Sequence, residues 1–179
     1  MEDLKKEWAK KVPKYANSNK DLFKRLSEKY GAEGDKLIGR GKSFANNYEL
    51  YLYAFFLGLY AGAKEPIAED ETRVDFGHPI DKWGNKTNRI DRKDFSELQD
   101  YVFMALVVET NFDMQALEKG KITSASVTKK LITTMESYAN GGLQIIREKL
   151  EDIPNYQLQP TAWLDLVSTY AKVEEPPVG

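Results

Sequence analysis

The stretch Gly39-Arg40-Gly41-Lys42-Ser43 comes closest to phosphate chemistry, because backbone amides and a lysine at a helix start can hold phosphate oxygens. A nucleotide-hydrolysing loop also needs a glycine five residues before its Gly-Lys pair, on the heels of a strand. Lys36 stands at that position, and the preceding text reads as helix. What survives is a contact of Lys36, Arg40, Lys42 and Ser43 with a phosphate backbone, without chemistry; a solvated surface loop is the plainer reading. The most basic segment follows later: Lys82, Lys86, Arg89, Arg92 and Lys93, interleaved with Trp83, Asn85 and Asn88. Cations alternating with an aromatic ring and amides suit backbone contact plus base stacking, with Trp83 as the stacking residue or partner anchor. Asp94, Glu97, Asp100 and Glu109 come next, so a polar loop shielding a partly acidic helix is the alternative.

Catalytic constellations are scarce. His78 is the single histidine and cysteine is absent, which removes Ser-His-Asp triads, multi-histidine metal sites, thiolate ligands, cysteine nucleophiles and disulfides. Asp81 with Asp91, Arg92 and Lys93 echoes the acids and lysine of metal-dependent nucleases, but without the strands on which such sites sit. Many acid pairs here meet a glycosidase's need for two facing carboxylates, and none specifically predicts it. No catalytic residue, metal or cofactor is therefore expected.

The elements that must position these loops centre on one run, Asn47 to Gly62. Tyr48, Tyr51, Leu52, Phe55, Phe56 and Leu59 recur along one helical face, and Leu50, Tyr53, Leu57 and Ala61 make the other face apolar too. A helix apolar all round is buried all round. It is shorter than the ~20 residues of a membrane span and is rich in tyrosine, so no membrane association is expected. Gly58 and Gly62, one turn apart, read as close-packing sites for a neighbouring helix.

Amphipathic helices are predicted over Glu2 to Val12, from a Ser18 or Asn19 cap to Gly31, from an Asp94 cap to about Glu109, over Met114 to Lys119 between Asp113 and Gly120, from Thr123 or Ser124 onward, and from Thr161 to Ala171. The third of these six helices counts Phe95, Leu98, Tyr101, Val102, Ala105, Leu106 and Val108 mostly on one broad face and is the expected partner of the central helix. Asn140-Gly141-Gly142 should kink or break the long one. Residues 64–93 read as a long ordered loop, with at most a short β-hairpin in 64–90.

With 179 residues, 41% of them hydrophobic, the chain suits one all-α domain over residues 1–173, an orthogonal helix bundle around the buried central helix, and a disordered tail over 174–179. A net charge of -2 gives no global pull toward nucleic acid, so such a contact must come from a local patch. The charged N-terminus has no hydrophobic signal core, and together with the lack of cysteine this points to the cytoplasm.

Lys42-Ser43-Phe44 and the run Tyr48 to Ile67, with its Leu57-Gly58-Leu59 centre, Lys64 and Pro66-Ile67 exit, resemble small helical proteins associated with bacterial DNA phosphorothioation (Dnd) systems. The resemblance covers about residues 42–67. It implies an accessory role in DNA modification or defence, through the DNA backbone or through larger protein subunits, with no catalytic residue to carry over. Phe76 to Ile80 and Trp83 to Asn88 are similar to short bacterial proteins bearing a glycoside hydrolase label, but this chain is too short to close a helical barrel. The expected function is a non-catalytic, DNA- or partner-binding subunit of such a system. Alternatives are a pure protein-interaction module, using Trp8, Trp83 or Trp163 as exposed anchors, or a small hydrolase.

Overall fold

The computed structural model of the chain describes residues 1–27, 42–75, 77–84 and 96–171. Over these the protein is mainly helical, with α1 (Glu2–Ala9), α2 (Lys20–Leu26), α3 (Asn47–Ala61), α4 (Ser96–Thr110), α5 (Met114–Glu118), α6 (Ser124–Asp152) and α7 (Ala162–Tyr170). Two short strands, β1 (Tyr15–Ala16) and β2 (Arg73–Val74), pair as a small antiparallel sheet. β2 lies in the segment where the sequence allows a hairpin, but its partner precedes α2. Two residues are too few to show alternation, so β1 leaves no sequence signal. No helix among the described residues is long and apolar enough to cross a membrane. The chain falls into two compact units, Met1–Tyr15 with Arg73–Glu136 and Ala16–Thr72 with Ser137–Gly179, and α6 runs from one into the other.

The second unit holds the central helix. Buried Leu50, Tyr51, Leu52, Ala54, Phe55, Leu57 and Gly58 cover most of the circumference of α3, but the remaining side, with Tyr53 and Phe56 half-buried and Tyr60 exposed, corrects the expectation of a helix buried all round. Glu49 in its first turn reaches back to fix its start, accepting from the Ala45 amide, one residue before the N-cap, at 2.8 Å and from the Asn46 side chain at 2.9 Å. Gly62 ends it in the left-handed region at φ 65°, its amide donating to the Gly58 and Leu59 carbonyls.

The glycines of α3 and α6 divide into two roles. A Cβ on Gly58 would stand 2.1 Å from the Tyr138 carbonyl oxygen, one on Gly142 1.8 Å from that of Ala54, and one on Gly141 2.0 Å from that of Ala63. The C-terminal half of α6 therefore lies backbone to backbone against α3 and the residue just beyond its cap. This corrects the reading of Asn140-Gly141-Gly142 as a possible break: α6 is assigned as one continuous helix, because close approach outweighs the roughly 1 kcal/mol per glycine lost in propensity. Gly62 is corrected in the opposite sense, since nothing lies within 4 Å of its missing Cβ and its role is the cap.

An aromatic cluster closes this unit. Trp163 on α7 meets Phe44 at 5.0 Å and Tyr53 at 5.5 Å between ring centroids, and the Tyr53 hydroxyl donates to the Trp163 carbonyl at 2.6 Å. Burial pushes the Tyr53 phenol well above its ordinary range.

In the first unit, α1 buries Leu4 and Trp8, and the Trp8 ring lies 5.4 Å from that of Phe103 on α4. α1 ends at Ala9, short of the expected Val12, and the Lys11 carbonyl instead accepts from the Ile80 amide at 3.1 Å. Val102, Phe103 and Leu106 of α4 and Val127, Leu131 and Met135 of α6 are buried. The buried Glu136 carboxylate accepts from the Lys14 amide at 2.8 Å and the Arg73 guanidinium at 3.2 Å. Desolvation nonetheless holds its carboxyl above the ordinary glutamate range. The Asp113 side chain caps α5 by accepting from the Ala116 amide at 2.9 Å, and Gly120 at φ 67° follows its end, both as the sequence predicts.

Candidate functional site

Of the cations singled out in the sequence, Lys36, Arg40, Lys86, Arg89, Arg92 and Lys93 lie outside the described residues, as does Asp91 of the nuclease-like group. Lys42 is half-buried, and its ammonium donates to the Lys24 carbonyl. Lys82 is exposed in a single 3-10 turn, Ile80–Lys82. Trp83 requires a correction. It is 1% exposed, its indole N–H donates to the His78 carbonyl at 3.0 Å, and its own carbonyl accepts from Gln99 at 2.7 Å. A ring with no free face cannot stack on a base or anchor a partner; Trp83 and Ile80, both buried, serve the core. Trp8 is buried and Trp163 half-buried, so neither is the expected exposed anchor.

A polar cleft of about 300 Å³ opens in the second unit between Ala16, Ser18 and Asn19, Pro66 to Ala68 with Glu71, and Asn140, Gln144 and Arg147 of α6. The Arg147 guanidinium donates to both Asp21 oxygens at 2.8 and 3.0 Å, to the Ser18 carbonyl at 2.7 Å and to the Asn19 amide oxygen at 3.2 Å. Asn19 donates to the Asn140 amide oxygen at 3.1 Å, and Asn140 donates to the Glu65 carbonyl at 3.1 Å. This explains why Asn19, expected as a cap for α2, makes no capping bond. The Arg147 hydrogen bonds hold the Asp21 carboxyl below its ordinary range. With its arginine neutralised and its amides satisfied by one another, the wall of the cleft ties α6 to two loops and offers no unpaired cation to an anion.

α4 carries the feature that sequence reading missed. Tyr101, Met104 and Val108 are 67%, 57% and 71% exposed and recur at i, i+3 and i+7, on the side away from buried Val102, Phe103 and Leu106. The sequence pattern places Tyr101 and Val108 on the same broad apolar face as Val102 and Leu106, whereas the structure separates them. α4 is apolar on more than one side, and periodicity alone does not say which side is covered. The signal available was the second row itself, with Glu97 one turn ahead of Tyr101. In the second unit Tyr60, Leu158 and Leu164 are also exposed, each on a separate element.

Among the described residues, no group of three or more acids or histidines is placed to hold a metal ion. The chain matches no protein-family model, no curated protein and no solved structure.

Proposed function

We propose that the protein is a non-catalytic accessory subunit that holds a larger protein partner on the exposed face of α4. The observation that carries this reading is the row Tyr101, Met104 and Val108, three large apolar side chains left in water on one helix face. Single exposed apolar residues are ordinary, whereas a contiguous row at i, i+3 and i+7 is the anchor pattern by which a helix docks in a groove or against another helix. The cleft at Arg147 is less apt for a ligand because its polar groups satisfy one another.

A bacterial DNA-modification or defence system is the setting that the resemblance over residues 42–67 supports. The fold gives many of those residues packing roles, since Gly58 makes the helix crossing, Phe44 meets Trp163 and Gly62 caps α3. Contact with a DNA backbone is the second reading, favoured by exposed Lys82 at the head of the most basic segment. An affinity for duplex DNA that falls steeply with salt would support it.

Site-specific photo-crosslinking tests the main reading. A photoreactive residue replaces Met104 in one variant and exposed Glu69 in another, each produced in the native host. One discrete protein adduct at position 104 and none at 69 is the expected result; no adduct at 104, or the same adducts at both positions, would overturn it.

A further inference from the structure

We propose that Met104 is an oxidation site whose conversion to the sulfoxide by a peroxide switches off the exposed face of α4; this inference rests on the reading of that face as the docking surface. The chain has no cysteine, so its four methionine thioethers are its only sulfur open to oxidation. Met135 is fully buried in the core of the first unit and is shielded from an oxidant. Met104, at 57%, is the most exposed of the other three. Met1 precedes α1 and Met114 begins α5, whereas Met104 stands inside the apolar row, between Tyr101 at i−3 and Val108 at i+4.

The reaction needs only hydrogen peroxide. The thioether sulfur attacks a peroxide oxygen, an S–O bond forms, the O–O bond breaks, sulfur gives up two electrons and the remaining oxygen leaves as water. A flexible apolar side chain thereby becomes a polar one with a strong acceptor oxygen. In the free protein that oxygen is hydrated, and the change costs the fold little because Met104 lies outside the core. Beneath a docked apolar surface the oxygen sheds its water and gains no donor in return, which weakens docking roughly tenfold or more. A methionine sulfoxide reductase reverses the step: two thiols become a disulfide, and the oxygen leaves as water.

The test uses the full chain with a photoreactive phenylalanine derivative at Val108, which keeps an apolar group in the row and leaves Met104 in place. The purified protein, untreated or treated with hydrogen peroxide that catalase then removes, is crosslinked in a desalted lysate of the native host, where thiols are too dilute to drive repair. Peptide mass spectrometry should find oxygen added to Met104 and none on Met135, with circular dichroism and Tm unchanged. The adduct at position 108 should fall at least about tenfold and return after a methionine sulfoxide reductase with dithiothreitol. Across a peroxide titration its yield should track the unoxidised fraction of Met104, and Met114→Leu should leave that dependence in place. Within Met104→Leu, which has no sulfur at this position, the yield should be the same with and without peroxide.

An adduct undiminished when Met104 carries the oxygen would overturn the switch and leave the docking face standing. A yield that tracks Met1 or Met114 instead, or that falls with peroxide in Met104→Leu, would place the sensitive group elsewhere and overturn it as well. Met104 left intact while Met135 is oxidised would overturn the assignment of the site. No adduct from the untreated protein would overturn the docking reading, and this inference with it.

Discussion

Replacing Gly142 with alanine should destabilise the fold by about 2 kcal/mol, the opposite sign to the gain of about 1 kcal/mol that helix propensity alone gives. The added Cβ would stand 1.8 Å from the Ala54 carbonyl oxygen and 2.6 Å from its carbon. Ordinary heavy-atom contacts sit at about 3.5 Å, so α3 and α6 must part by roughly 1.5 Å along that line. The blocking atoms are backbone and cannot swing aside. The approaches of Gly58 to Tyr138 and of Gly141 to Ala63 open with it. Overpacking of this kind costs about 1–3 kcal/mol, here at the upper end, and the propensity gain offsets about 1 kcal/mol. For a chain of this size the net loss lowers Tm by about 4–8 °C. Thermal and urea unfolding followed by far-UV circular dichroism would measure it, with Gly62→Ala as the control. That position has open space, and the change should cost about 1 kcal/mol through its positive φ alone. A Gly142→Ala protein as stable as the wild type, or more so, would refute the backbone-to-backbone crossing.

Three further outcomes follow from the hydrogen bonds. Asn140→Ala should cost about 2–3 kcal/mol in urea unfolding, because the buried Asn19 amide and the Glu65 carbonyl each lose a partner; a loss within about 0.5 kcal/mol would contradict the network. The pKa of Glu136 is raised in the folded state, so its contribution is fully present below the ordinary glutamate pKa and lost as pH rises through the raised value. Glu136→Gln keeps an acceptor for the Lys14 amide and should gain stability relative to the wild type across that window, whereas parallel pH profiles would remove burial as the cause. Trp83→Phe should cost about 1 kcal/mol more than Trp8→Phe, since the Trp83 indole N–H bonds the His78 carbonyl and the buried Trp8 indole N–H has no hydrogen-bond partner among the described residues; equal losses would contradict that difference.

The sequence makes α3 legible because a run so densely apolar must bury most of its surface, although Tyr60 near its end stays exposed, and because polar Asn46 marks where the run begins. α5 is legible through Asp113 and Gly120, whose roles are local. Gly141 and Gly142 mislead because propensity is a local quantity, whereas their purpose lies across the helix pair in Ala54 and Ala63. Trp83 misleads for a related reason: its neighbours in sequence are cations and amides, while its neighbours in space are the His78 and Gln99 groups that bond it. The face of α4 sits between these cases. Its two apolar rows are visible in the text, and tertiary packing chose Val102, Phe103 and Leu106 for the core, leaving Tyr101, Met104 and Val108 outside.

The docking face is tested most directly by the adduct at position 104, formed in the native host with and without Tyr101→Ser and Val108→Ser. The two exposed changes should leave stability within about 0.5 kcal/mol and abolish the adduct. An undiminished adduct on a normally folded variant, or a fold that collapses when these exposed residues are changed, would contradict the assignment of α4 as the partner surface.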